Sequence, residues 1–184
     1  MILSILIASL QSRQYQLNML LEELHRQIGD ATGIEVLVEV DNKQISTGAK
    51  RNLLLQRATG KYIIFIDDDD WIEPCYVSEL LKAAESDADC FAINGWITTN
   101  GHNKINWALS KDYENHGTSF YYRKTNHITA VKRELALQAG FPDKINGEDK
   151  AYSDKVAPLC KTEYKIIPPM YHYRFNTHKT DSYV

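Results

Sequence analysis

The chain has 184 residues, 43% of them hydrophobic and 24% charged, with 21 basic against 24 acidic side chains for a net charge of -3. That composition supports one well-filled core and excludes a disordered chain. No basic run extends beyond Lys50-Arg51 or Lys132-Arg133, which excludes a duplex nucleic acid as partner.

Ile2 to Leu10 is apolar enough to resemble the middle of a secretion signal, but no Lys or Arg precedes it and Arg13 follows it. It is also too short to span a bilayer, so the sequence predicts no transmembrane segment and leaves only peripheral membrane contact open. Ile2 to Ala8 reads instead as a first buried strand, ending at Ser9. A helix follows, with Leu17, Leu20, Leu21, Leu24 and Ile28 on one face and Gly29 at its end. Ile34 to Val40 is the second strand and ends on Asp41. The next helix starts near Ser46 or Thr47, passes through Gly48-Ala49-Lys50-Arg51-Asn52 and stops by Gly60.

Tyr62-Ile63-Ile64-Phe65-Ile66 has no polar break and reads as a strand buried on both faces, of the parallel-sheet kind. Asp67-Asp68-Asp69-Asp70-Trp71 terminates it. Pro74 opens a helix that turns Tyr76, Val77, Leu80, Leu81 and Ala84 inward, and Ala88 to Ile97 is a fourth strand. The first hundred residues thus alternate strand and helix, the pattern of a doubly wound α/β sheet. Thr98 to Asn126 is polar and reads as irregular structure with short strands on the open side of a cleft. Beyond it come a short strand at Ile128 to Val131, helices at Lys132 to Ala139 and Glu148 to Leu159, and a strand at Glu163 to Ile167. The tail, Tyr171 to His178, is aromatic and polar with no helical period. No linker or repeat divides the chain, so it is read as one domain. Cys75, Cys90 and Cys160 lack metal-ligand spacing and read as reduced core thiols, which fits a cytoplasmic chain.

Open α/β sheets place ligands beyond the carboxyl ends of their strands, where Asp67 to Asp70 must lie. Four adjacent carboxylates need a counter-ion, solvent or a cationic ligand. A hard divalent cation, Mg²⁺ or Mn²⁺ holding a diphosphate, meets that need with oxygen ligands. The plainer alternative is a solvated turn that caps the helix beginning near Pro74. Neither a G-x-G-x-x-G nor a G-x-x-x-x-G-K-[ST] loop is present, so any nucleotide would be held by metal and side chains. A second acidic group, Asn146-Gly147-Glu148-Asp149, opens a helix. It is either a cap or, if it faces the same crevice, a general base toward an alcohol.

Asp41 after the second strand, Gly48 to Asn52, Gly60 to Asp70 and Gly147-Glu148-Asp149, in this order, resemble family 2 glycosyltransferases of the GT-A fold. The resemblance covers Ile2 to about Tyr173. It implies a single Rossmann-like GT-A domain with a mostly parallel sheet flanked by helices. Residues 1–100 would hold a nucleotide-diphosphate sugar, and 101–184 would serve the acceptor and catalysis. It further implies a metal-dependent inverting transferase acting on a carbohydrate or other hydroxyl acceptor.

The roles implied fall on particular residues. Ser9 and Arg13 would contact the nucleotide, Asp41 its base, and Lys50 and Arg51 the base or diphosphate. Asp67-Asp68-Asp69 would be the D-x-D motif, with Asp68 in the donor site, Asp69 on Mn²⁺ or Mg²⁺ and Asp67 on ribose or metal. Asp149 would be the base of the Glu148-Asp149 pair. His172, or less directly His178, would ligate metal or touch the diphosphate. Many members of the family continue into further helices that build the acceptor site. In this sequence that role would fall to Thr98 to Asn126, the tail or a partner.

Two other classes share some of these features. A sugar-phosphate nucleotidyltransferase would also put carboxylates and metal at a strand end, but it carries a glycine- and base-rich loop after the first strand. Ile7 to Arg13 contains no glycine. A non-catalytic nucleotide-sugar-binding relative would keep the sheet without needing Asp149 opposite Asp69.

Overall fold

A computed structural model describes residues 1–177, so His178 lies outside the described residues. Three parallel strands form its centre: β1 (Leu3–Leu10), β2 (Ile34–Asp41) and β3 (Tyr62–Phe65), in the order β2-β1-β3. The apolar runs of β1 and β3 are buried because helices cover both faces, while β2, at the sheet edge, is half-buried throughout. α1 (Gln14–Ile28) and α3 (Tyr76–Ala84) pack Leu17, Leu20, Leu24, Tyr76, Val77 and Leu80 against Ile5, Ile7 and Ile64. On the opposite face, α2 (Thr47–Arg57), α4 (Arg133–Ala139) and α5 (Glu148–Val156) pack Leu54, Ala136, Tyr152 and Val156 against Leu6, Ile63 and Phe65. Each fully buried leucine here contributes about 2 kcal/mol by removal from water.

Beyond β3 the sheet continues through β9 (Val131–Lys132), antiparallel to both neighbours, to β5 (Cys90–Thr99). The predicted strand at Ile128 to Val131 is therefore displaced. Residues 127–130 bond to flanking strands only at isolated points, His127 O accepting from Phe65 N and Ala130 O from Phe91 N.

The polar segment after residue 98 is more regular than its composition suggests. β6 (His102–Ser110) pairs antiparallel with β5, and β8 (Phe120–Lys124) runs parallel to β6 with the two-residue β7 (His116–Gly117) beside it. β6 alternates, turning Trp107 and Leu109 inward and leaving Lys104 and Asn106 exposed, and β8 is half-buried along its length, so neither strand reads as an apolar run.

The tail is also a strand. β11 (Tyr171–Phe175) lies parallel to β5, following β10 (Glu163–Lys165) along the same edge, and pairs with the short β4 (Trp71–Ile72) that follows the acidic run. Close approach of β11 is what makes residue 95 a glycine: a Cβ there would sit 1.9 Å from the Tyr171 carbonyl oxygen. Cys90 and Cys160 are buried thiols as predicted, whereas Cys75 is only half-buried. Among the described residues, no helix is long and apolar enough to cross a membrane.

Candidate active site

The parallel strands end together, and α2 ties their ends to one another. Lys50 and Arg51 are consecutive on this helix, so they point about 100° apart around its axis. Lys50 donates from Nζ to the Ser9 carbonyl at the end of β1 (3.0 Å) and to the Asp41 carboxylate at the end of β2. Arg51 donates from Nη2 to Asp67 Oδ1 past the end of β3 and from Nη1 to Glu148 Oε1 on α5, both at 2.8 Å. Both cations are buried. Gly48, one turn earlier, lets the loop before α5 come close: a Cβ there would lie 1.9 Å from the Pro142 carbonyl oxygen.

The four aspartates split by alternation into two kinds. Asp68 and Asp70 are buried. Asp68 accepts from Ser9 Oγ at 2.6 Å and from Arg13 Nη1 at 2.9 Å. Burial pushes its pKa up, with Arg13 and Ser9 offsetting part of the rise. Asp70 accepts from the Tyr171 hydroxyl and from the Arg174 backbone N–H, both at 2.8 Å. Burial and the neighbouring Asp67 and Asp69 hold its pKa well above the usual carboxylate range.

Asp67 and Asp69 keep an edge in the open, their side chains 29% and 14% exposed. Burial alone would raise the Asp67 pKa, but His127 and Arg51 beside it bring it far below the usual range. Its Oδ2 lies 3.2 Å from His127 Nε2, and its backbone N–H donates to the Tyr171 hydroxyl at 3.2 Å. Asp69 Oδ2 lies 3.4 Å from Arg13 Nη1.

Two cavities meet across this network. The smaller, about 310 Å³, is lined chiefly by Ser9, Arg13, Lys50 and Asp67 to Asp69. The larger, about 520 Å³, is lined by Asp149, Glu148, His127, Trp107, Tyr121 and Arg123, among others. Arg51, Asp67, Ile145, Asn146 and Tyr173 border both.

Two adjoining cavities thus meet at the strand ends. The model of the family described as glycosyl transferase family 2 matches residues 20–137, well over half of the chain. The chain belongs to glycosyl transferase family 2. EpsH of Bacillus subtilis, whose name places it among glycosyltransferases, is 25% identical over 143 residues, 70% of this chain and 42% of its own length.

Among solved structures, S. aureus TarS residues 1–349 superpose with a TM-score of 0.74 at 17% identity, over 95% of this chain and 60% of that one. The same TarS segment in complex with UDP-GlcNAc gives 0.74 at 16% identity, over 100% and 62%. The mannosyltransferase PcManGT of Pyrobaculum calidifontis, solved with GDP-Man and Mn²⁺, gives 0.61 at 14% identity, over 98% and 58%. These likenesses establish the shared GT-A architecture. The family 2 chain described here spans about two fifths of EpsH and about three fifths of the TarS segment.

Most residues singled out from the sequence of this family 2 member converge at the strand ends, with three differences of placement. Asp41 does not line the smaller cavity; its carboxylate holds Lys50 and accepts from the Ile45 backbone N–H at 2.9 Å. Glu148 and Asp149 both line the larger cavity, but Glu148 is buried with its carboxylate on Arg51, whereas Asp149 is half-buried. His172 lines neither cavity. Side chains alternate along β11, so Tyr171 and Tyr173 face the site while His172 faces the other way. There its Nε2 lies 2.8 Å from Thr98 Oγ1 and its ring packs on Trp96. Burial, then Arg174 and Lys104, lower its pKa. Sequence reasoning missed His127, Tyr171 and Tyr173, which reach the acidic run from 60, 104 and about as many residues away.

Proposed function

We propose that this chain carries the donor site and catalytic base of a transferase that moves a sugar from a nucleoside-diphosphate donor to an acceptor hydroxyl, with inversion. The observation that carries the reading is the pair of cavities sharing one wall, with Asp67 to Asp69 in the smaller and Asp149 in the larger. The smaller takes the nucleotide diphosphate, with Arg13 and Lys50 offering positive charge. The larger takes the acceptor. Its aromatic walls, Trp107, Tyr121 and Tyr173, suit the apolar faces of a sugar ring, and Asn115, Asn126 and Asn146 suit its hydroxyls.

Asp149 carries the general-base role. It is half-buried, lines the acceptor cavity and, among the described residues, forms no salt bridge of the kind that holds Glu148. It takes the proton from the acceptor hydroxyl, whose oxygen then attacks the anomeric carbon on the face away from the diphosphate. The sugar–phosphate bond breaks as the new glycosidic bond forms, and the nucleoside diphosphate leaves.

The donor set fits Mg²⁺ or Mn²⁺. Among the described residues no three His, Cys, Asp or Glu side chains form a ready-made metal cage. Mg²⁺ in particular is usually held by one or two carboxylates together with substrate phosphates. Asp69 and Asp67, the two aspartates with an open edge, would be those carboxylates. When bound, the ion supplies positive charge beside the leaving diphosphate.

A thermal-shift panel of UDP- and GDP-sugars with Mn²⁺ or excess chelator tests this reading, because a ligand that binds only the folded chain raises its melting temperature. The expected result is stabilisation by one nucleotide-sugar family, lost in chelator, followed by release of nucleoside diphosphate. Stabilisation by a nucleoside triphosphate with a sugar phosphate would point to nucleotidyl transfer. Binding without turnover in the presence of acceptor glycans would make the chain a non-catalytic relative.

A further inference from the structure

We infer that Arg51 is a positioning residue: one guanidinium bridges Asp67 and Glu148, and so fixes where the helix bearing Asp149 stands relative to the donor carboxylates. The inference rests on the reading of Asp149 as the base, and it changes the role expected of Arg51, which the family resemblance placed on the donor itself.

The geometry of the bridge is specific. Nη2 meets Asp67 Oδ1 and Nη1 meets Glu148 Oε1, each at 2.8 Å, and only 5% of the side chain is exposed. Phe65 and Phe141 wall the guanidinium, their ring centroids 5.9 and 5.6 Å from Cζ. Its Nε is buried with no hydrogen-bond partner among the described residues, so the two charge-assisted bonds are what hold the group in place. Asp67 is braced from its other side by His127. A planar fork can span two carboxylates in fixed directions; an ammonium on a flexible stem cannot.

The start of α5 depends on this contact. Gly147 stands at its N-cap with φ 76° and no side-chain cap bond, and the bond from the Lys150 N–H to Asp149 Oδ1 is internal to the first turn. The Glu148–Arg51 pair ties that turn to β3 instead, and Asp149 is the next residue. Loosening the bridge moves the base relative to the anomeric carbon, and misplacement by about 1 Å can cost about 100-fold in rate. It does not remove a group from the donor.

The test uses Arg51→Lys, Glu148→Ala and Glu148→Gln, together with the double variant Arg51→Lys/Glu148→Ala. The positioning role predicts that Arg51→Lys and Glu148→Ala each lower kcat by about 10- to 100-fold while donor affinity stays within about threefold. The double variant should be no slower than the worse single one, since both break the same bridge. Glu148→Gln keeps a carbonyl oxygen for Nη1 and should recover most of the turnover lost in Glu148→Ala. A tenfold or greater loss of donor affinity in Arg51→Lys with kcat unchanged would overturn the inference, as would additive effects in the double variant.

Hydrogen exchange gives a second readout that needs no substrate. Amides of residues 148–152 should exchange about tenfold faster in Arg51→Lys, although the change lies on α2. Unchanged exchange there refutes the bridge. If the wild-type chain transfers no sugar from any donor, the proposed function fails and the exchange result alone decides the bridge. Should Arg51→Lys fail to fold, the comparison of Glu148→Gln with Glu148→Ala carries the same decision.

Discussion

Tyr171→Phe removes one oxygen and tests whether the acidic run is a built structure. The hydroxyl is fully buried, donates to Asp70 Oδ2 at 2.8 Å and accepts from the Asp67 backbone N–H at 3.2 Å. Deleting it leaves a buried acceptor and a buried donor unsatisfied at once. Each such group costs about 1–3 kcal/mol, so the variant should lose about 2–6 kcal/mol of folding stability. With an m-value of about 2–3 kcal/mol/M in urea, that is a midpoint lower by about 1–2 M.

The same hydroxyl fixes the backbone at the first carboxylate and the side chain of the fourth, so donor affinity should fall as well. Urea titration followed by tryptophan fluorescence, with donor calorimetry on the folded variant, measures both. A midpoint shifted by less than about 0.2 M together with unchanged donor affinity would show that the run holds its shape without Tyr171, and the account of its geometry would be wrong.

Other substitutions and conditions separate the remaining parts of the account. Asp69→Asn should abolish metal-dependent donor stabilisation while the melting temperature of the apo chain stays nearly unchanged, because a half-buried carboxylate at the cavity edge contributes more to ligand than to fold. Full donor response in this variant would remove Asp69 from the proposed metal site. Asp89 gives a pH test of folding alone. Burial raises its pKa, but the backbone N–H groups of Thr162 and Lys161 and the ammonium of Lys132 outweigh that and bring it to about 2. A depressed carboxylate stabilises the fold above its unfolded pKa near 4, and that contribution disappears as pH falls through about 2. It amounts to about 2 kcal/mol, so Asp89→Asn should be less stable than wild type at pH 7 and close to it at pH 2. Equal differences at both pH values would contradict the assignment.

The parallel half of the fold was legible because β1 and β3 are covered on both faces and read as apolar runs, as in Ile63-Ile64-Phe65, β2 alternates before ending on Asp41, and the helices between them repeat at three and four. The antiparallel extension was not. β6 has one exposed face, so Trp107 alternates with Asn106, and in the half-buried β8 Tyr121 and Tyr122 sit in a polar sequence. Within the candidate site, the acidic run and the Glu148-Asp149 pair stood out as charge clusters beside structural punctuation. His127 carried no such signal, since nothing local distinguishes a histidine that will meet Asp67 from one on a surface. The position of His172 shows the converse limit. Resemblance singled it out, but strand alternation puts its neighbours Tyr171 and Tyr173 on the site face. The division of the aspartates into anchored Asp68 and Asp70 and open Asp67 and Asp69 follows from partners at residues 9, 13, 171 and 174, which no local pattern connects to the run.

The most direct test of the central claim compares Asp149→Asn with wild type in single-turnover sugar transfer, with donor affinity measured in parallel. Asparagine preserves size and can still accept from the Lys150 backbone N–H as Asp149 Oδ1 does at 2.7 Å, but it cannot take up a proton. The account predicts a fall in turnover of about 10²–10⁴-fold with donor affinity nearly unchanged. Near-normal turnover in Asp149→Asn would contradict it.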